Sequence, residues 1–236
     1  MRKLLSTFAR QLTLLTALGL LIAACGADVA TPTNPSSPSE TASTLPPGGP
    51  NQLNAGSYAL ADFPVGISFE IPAFEPPAAW FGCSSSTVEQ AVCYSPDEDI
   101  APAAVTFQIV ENVRTPPCSE QETAELLDPP VGPSVEDLVT AISNLEGYEA
   151  TAAEDITVSG FSGKEFTLTA QAHGCGATWS TTERVTGMGA GEVNLLRILD
   201  VDGVRVMMAL AYHPQETPAD AVDAAEQVMD SVGIES

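Results

Sequence analysis

The stretch Leu195–Tyr212, LLRILDVDGVRVMMALAY, decides the fold. Two apolar runs, Leu195 to Val201 and Val204 to Tyr212, flank Asp202-Gly203. Asp-Gly between such runs predicts a hairpin, because a type I′ turn needs positive φ at both central positions. Reading outward, period-two alternation predicts further strands. Ile67, Phe69 and Ile71 alternate with Ser68 and Glu70, and Val105, Phe107 and Ile109 alternate with Thr106 and Gln108. Phe166, Leu168 and Ala170 alternate with Glu165, Thr167 and Thr169, and Ile156-Thr157-Val158 leads into them through a turn at Gly160.

Two helices complete the pattern. Ser134 is an N-cap residue, with Glu136 and Asp137 in the first turn where the helix dipole favours negative charge. Val135, Leu138, Val139, Ile142 and Leu145 form one apolar stripe, and Gly147 suits the position after the helix end. The second helix is expected to start with Thr217 as N-cap and Pro218 in its first turn. Its apolar face is Ala221, Val222, Ala225, Val228, Met229 and Val232, with Asp220, Asp223, Glu226 and Asp230 turned to solvent. Strands, a helix, more strands and a last helix imply an α+β fold: an antiparallel sheet with two main flanking helices. That domain is expected over residues 57–236.

Residues 1–24 read as a lipoprotein signal peptide. Arg2, Lys3 and Arg10 precede LTLLTALGLLIAA (12–24), a 13-residue uncharged run. Such a run is too short to span a bilayer and suits the core of an export signal. Ile22-Ala23-Ala24-Cys25, followed by Gly26, resembles the bacterial lipobox, whose cysteine is lipidated and becomes the new N-terminus. The resemblance implies that Cys25 carries lipid and tethers the protein to the cell membrane or outer membrane. The domain would then face the periplasm or the exterior. Residues 26–56 contain 18 Ser, Thr, Pro or Gly among 31, six of them proline. Such a segment buries too little apolar surface to offset its ordering entropy, so residues 25–56 are expected to be a disordered tether.

The chain has 236 residues, eight Lys or Arg against 31 Asp or Glu, and a formal charge of −23. Loss of the leader leaves five cations against the same 31 carboxylates, a net of −26. So acidic a surface repels phosphate backbones, and no nucleic-acid partner is expected. Five cysteines are the odd count. Lipidation of Cys25 leaves Cys83, Cys93, Cys118 and Cys175 in an oxidising compartment, where two disulfides are expected. Three pairings of four cysteines are possible.

Four segments carry a family resemblance: DPPVGPSVEDL (128–138), GFSGKEFTL (160–168), ILDVDGVRVMM (198–208) and DSVGIE (230–235). Together they resemble an uncharacterised extracytoplasmic lipoprotein domain of actinobacteria and Chloroflexi-type bacteria. More loosely, the pattern is similar to Mog1/PsbP-like proteins and LpqN-type lipoproteins. That resemblance implies an antiparallel sheet flanked by helices and a binding or assembly role. The closer resemblance, in which a cysteine before the DPPVGP segment recurs with one after the GFSGKEF strand, implies a Cys118–Cys175 bridge, which leaves Cys83–Cys93 as a local loop closure.

Motifs for chemistry are sparse. His173-Gly174-Cys175 has soft-metal character, but it reads better as a disulfide beside a loop histidine. Asp200-Val201-Asp202-Gly203 lacks the remaining ligands of a calcium loop, and Asp97-Glu98-Asp99 reads as a solvated loop. Gly160-Phe161-Ser162-Gly163 fails the nucleophile-elbow spacing, and Gly187 to Gly191 reads as a flexible loop. Trp80 and Trp179 read as core or loop anchors. No catalytic residue, metal or cofactor is therefore assigned. The expected function is a non-enzymatic binding or assembly module with an envelope protein or small molecule as partner. The alternatives are an envelope-directed hydrolase and a weak cation-binding surface module.

Overall fold

The hairpin forms as expected. In the computed structural model, Val201 pairs with Val204 across Asp202 (φ 51°) and Gly203 (φ 87°). The Asp200 carboxylate accepts from the Gly203 N–H at 2.7 Å, so this acidic run builds a turn. Ser159 (φ 51°) and Gly160 (φ 90°) make the same kind of reversal further upstream.

The structure describes residues 42–48, 52–73, 80–94, 103–115, 125–171, 176–180 and 185–235. Strands come first: β1 (Ser43–Thr44), β2 (Gln52–Leu53), β3 (Gly56–Ala59), β4 (Gly66–Ile71), β5 (Trp80–Ser85), β6 (Glu89–Tyr94), β7 (Ala103–Ile109), β8 (Asn112–Thr115) and β9 (Glu125–Leu126). Helix α1 (Val135–Ser143) follows. Then come β10 (Tyr148–Ala150), β11 (Glu154–Val158), β12 (Phe161–Ala170), β13 (Gly176–Ser180), β14 (Val185–Met188), β15 (Val193–Val201) and β16 (Val204–Tyr212). Helix α2 (Ala219–Asp230) and β17 (Gly233–Glu235) close the order.

These strands make three sheets among the described residues, not the one expected. The largest runs β10-β12-β15-β16-β7-β6-β5-β2, with β11 also on β12. A second runs β1-β3-β4-β17, and a third β14-β13-β8-β9. Pairing is antiparallel throughout except between β1 and β3. The molecule is thus richer in strand than an α+β domain with one sheet, with two helices as anticipated.

Both faces of the large sheet are covered. Val206, Met208 and Leu210 of β16 pack with Ala221, Ala225 and Val228 of α2 and with Ile67 and Phe69 of β4. Met207 and Ala209, pointing the other way, pack with Leu138 and Ile142 of α1. A strand buried on both faces has no use for polar alternation, which is why 204–212 reads as a continuous apolar run.

Several boundaries differ from expectation. Residues 43–53, read as tether, contribute two strands, and Leu45 and Leu53 are buried at 2% and 4% exposure. Two aliphatic side chains inserted into the core outweigh the composition around them, and the compact unit runs over Glu40–Ser236. Thr217 is not the α2 cap. Its hydroxyl accepts from the His213 N–H at 3.1 Å inside the preceding turn, so Pro218 takes the cap position. Helix α1 ends at Asn144, and Gly147 (φ 83°) serves a separate turn into β10. Gly187 and Met188 lie on β14, with Met188 buried, so the glycine-rich loop starts only at Gly189.

Candidate functional site

A groove lies beside α1, and its far wall is a segment without regular structure, residues 127–134. Two side chains hold that wall. Asn112, buried on β8, donates from Nδ2 to the Leu127 carbonyl at 3.1 Å. Its Oδ1 accepts from the N–H groups of Val113 (2.9 Å) and Val131 (3.2 Å). Arg205 of β16 donates to the carbonyls of Gly132 and Ser134 with one arm. Its other arm donates to Val110 (3.1 Å) and Glu111 (3.2 Å). Burial pulls the Arg205 guanidinium below its ordinary pKa, and nearby Asp137 opposes that shift.

The capping box sits at the mouth of this wall. The Ser134 hydroxyl accepts from the Asp137 N–H at 3.1 Å, and the Asp137 carboxylate accepts from Ser134 N at 3.0 Å and from its hydroxyl at 2.6 Å. These bonds, the hydroxyl's first, hold the Asp137 carboxyl below the usual range, so it is anionic at neutral pH. A side chain on Gly132 would run into that carboxylate, so the close approach requires glycine.

The resulting cavity has a volume of about 510 Å³. Leu127, Val131, Ala141 and Leu145 give it an apolar floor. Thr140, Asn144, Asp137 and Glu146 add polar and acidic groups to its lining. It is the size and mixed character of a small-ligand or peptide-anchor site. Among the described residues, none that lines it is cationic.

The residues singled out in the sequence lie elsewhere. Cys83 and Cys93 form a disulfide across β5 and β6, with Cα atoms 5.7 Å apart and Cys83 at a register shift in β5. Cys25, Cys118 and Cys175 lie outside the described residues, as do His173 and Asp97 to Asp99. Trp80 is buried edge-on to Tyr94, and Trp179 is buried with Nε1 donating to Gln108 Oε1 at 2.7 Å. Both are therefore core residues. His213 Nε2 stands 4.0 Å from Glu192 Oε2. That carboxylate is already engaged, accepting from Gly189 N at 2.9 Å and from Asn194 Nδ2 at 2.7 Å. The groove itself was missed by sequence reasoning. The available signals were an arginine inside the apolar run 204–212 and the Gly132-Pro133 step before a capped helix.

The sequence matches no known family profile, and no curated protein matches it. Among solved structures, the chain is similar to the solution structure of cyanobacterial PsbP (CyanoP) from Synechocystis sp. PCC 6803. The identity is 14%, the match covers 80% of this chain and 96% of that one, and the TM-score is 0.40. A likeness at that score decides neither fold family nor function. Among the described residues, no helix is long and apolar enough to cross a membrane, which says nothing of a β-barrel.

Proposed function

We propose that this is a lipid-anchored cell-envelope protein whose extracytoplasmic domain is a non-enzymatic binding or assembly module. The observation that carries the reading is the α1 groove. Its wall is fixed by Asn112 and Arg205, so an irregular segment is held in one shape before any partner arrives. Preorganisation of that kind lowers the ordering cost of binding. The basic leader, the uncharged run 12–24 and the lipobox-like Ile22 to Cys25 support the anchor. The four segments quoted above, which resemble an uncharacterised extracytoplasmic lipoprotein domain, support the envelope reading.

Two measurements test the anchor and its framework. Cys25→Ala is expected to abolish labelling with a palmitate analogue and to release the protein from the membrane fraction; persistent labelling would refute lipidation. Non-reducing peptide mapping is expected to recover a Cys118–Cys175 linked peptide, and a Cys93–Cys118 peptide would refute the pairing. For the binding role, the full-length chain with a photo-crosslinker at Thr140 is expected to capture an envelope component in its native membrane. Filling the groove with Ala141→Arg should remove that adduct. An adduct indifferent to Ala141→Arg would show that the groove is not the binding surface.

A further inference from the structure

We propose that Cys83–Cys93 is an exchangeable disulfide: an external dithiol opens it at Cys83, and the opening releases the N-terminal segment 43–48 from the domain. This goes beyond the binding-module reading and does not rest on it. Three observations lead there.

The first is the unequal exposure of the two cysteines. Cys93 is buried within β6 at 8% exposure, whereas Cys83 is exposed on β5. The strand register gives the reason. Phe81 lies opposite Cys93 and Gly82 opposite Val92, but Ser84 lies opposite Ala91. Cys83 is therefore one residue more than β6 can match. An extra residue of this kind leaves the ladder and re-aims its side chain. A disulfide closed inside a core offers a reagent no sulfur; this one presents the Cys83 side to solvent, and access is one of the terms that set exchange rates.

The second is what rests on that extra residue. Strand β2 pairs with β5 at Trp80 and Phe81. Beyond them the N-terminal segment lies against β5. A Cβ on Gly82 would stand 3.2 Å from the Pro46 carbonyl oxygen, closer than a side chain is ordinarily accommodated. A Cβ on Gly48 would stand 3.4 Å from the Ser84 N and Cα and 3.5 Å from the Cys83 carbonyl carbon. The segment thus meets β5 backbone to backbone, on Cys83 itself and on the residue to either side of it.

The third is how few contacts hold the segment elsewhere. Strand β1 is two residues long, Ser43 and Thr44 are both exposed, and they pair with Tyr58 and Ala59 at the edge of their sheet. The Leu45 N–H donates to the Ala59 carbonyl at 2.8 Å. Of residues 43–48, Leu45 alone is buried, at 2% exposure. A segment held by one buried side chain and a short edge pairing belongs to the low-stability end of a structure, where local opening precedes global unfolding. The disulfide ties residues 82–84 to β6 and so fixes the surface on which Pro46 and Gly48 lie. Once it opens, that surface keeps its shape for only part of the time, and docking weakens by the same fraction.

The chemistry is thiol–disulfide exchange. One thiolate of the dithiol attacks Cys83 Sγ and forms a mixed disulfide, the Cys83–Cys93 S–S bond breaks, and the Cys93 sulfur leaves as a thiolate that takes a proton from water. The second thiolate of the dithiol then attacks its own sulfur in the mixed disulfide and expels the Cys83 sulfur, which is protonated in turn. Two electrons pass from the dithiol to the bridge, and the dithiol ends as its own disulfide. Release of the segment bares the outer edge of β3 at Tyr58 and Ala59 and empties the place of Leu45 in the core.

The test uses the full-length chain in detergent micelles, with dithiothreitol as the dithiol and no denaturant. Differential alkylation reads the state of each cysteine, and amide hydrogen exchange reads the segment. Reduction of Cys83–Cys93 in the folded chain is expected, with exchange over residues 42–48 rising about tenfold or more and exchange over 195–212 changing less than about twofold. The double variant Cys83→Ser/Cys93→Ser should exchange fast over 42–48 from the outset and no longer respond to dithiothreitol, which separates this pair from the other cysteines. Should that variant fail to fold, reduction of the native chain still reads the coupling. Leu45→Ala, with both cysteines intact, tests the reverse direction. Coupling between two equilibria is reciprocal, so a loosened segment should lower the reduced-to-oxidised dithiothreitol ratio at half-reduction about fivefold.

A bridge that resists dithiothreitol until the domain unfolds would overturn the exchange site. Reduction with no faster exchange over 42–48 would overturn the release. An equal rise over 195–212 would overturn it too, by reducing the effect to a general loss of stability. A half-reduction ratio unmoved by Leu45→Ala would show that segment and bridge are independent, and would overturn the coupling.

Discussion

Arg205 makes the most consequential contacts of any single residue described. It spends its donors on carbonyls from two segments, 110–111 and 132–134, in a chain with 31 carboxylates to choose from. Only a planar fork reaches four acceptors at once, so lysine is not an equivalent replacement. Arg205→Ala is expected to destabilise the domain by about 2–3 kcal/mol, the scale of a lost charged hydrogen-bond set. Arg205→Lys should recover little of this, as read by urea denaturation. Asp137 gives the acid limb. Its carboxyl ionises at lower pH folded than unfolded, so its contribution is present above the unfolded pKa and is lost as pH falls through the folded one. Asp137→Asn should therefore flatten the stability profile at the acid end and leave it flat above. Lys164 acts at the other limb. Hydrogen bonds first to Asp155 (3.0 Å) and then to Glu136 (3.4 Å) raise its pKa, so its contribution fades as pH rises through the folded value.

Among the elements, α1 supplies Leu138, Val139 and Ile142 to the core on its side of the large sheet. Leu138 and Ile142 are fully buried against Phe166, Leu196, Ile198 and Met207. Ile142→Ala is expected to cost about 2–5 kcal/mol, with the groove loosening alongside. The β5–β6 pair is closed by Cys83–Cys93 over a sequence separation of 10. Its reduction, or a paired Cys→Ser replacement, should lower stability by about 2–3 kcal/mol on the loop-entropy account. These elements differ in how plainly the chain announces them. The β15–β16 hairpin, both helices and the strands at 67–71 and 166–170 were readable, because turn chemistry and periodicity are local. Strand β6 was not, since Glu89 and Gln90 begin it and are nonetheless buried. Gln90 exchanges hydrogen bonds with the backbone of Ala61, a partner 29 residues away that no window of sequence reveals. The groove was illegible for the same reason: Asn112, Leu127–Gly132 and Arg205 meet only once three elements have docked.

At the scale of the whole molecule, the β1-β3-β4-β17 sheet joins the two ends of the described chain. Gly233 pairs with Ser68 and Glu235 with Gly66, while Ser43 lies beside Tyr58. The junction is reinforced by side chains. Ser231 Oγ accepts from the Glu70 N–H at 2.8 Å, and Ser159 Oγ donates to the Val232 carbonyl at 2.9 Å. Arg197 adds a link, donating to Glu165 at 2.6 Å and to Asp230 at 2.7 Å; burial opposes its charge, and these two partners outweigh that and raise its pKa. Strand β4 and helix α2 therefore have no complete partner set until residues 231–235 are in place. Assembly of this sheet therefore waits on residues 231–235, and until they dock, β4, with Ile67, Phe69 and Ile71 on one face, has one edge unpaired.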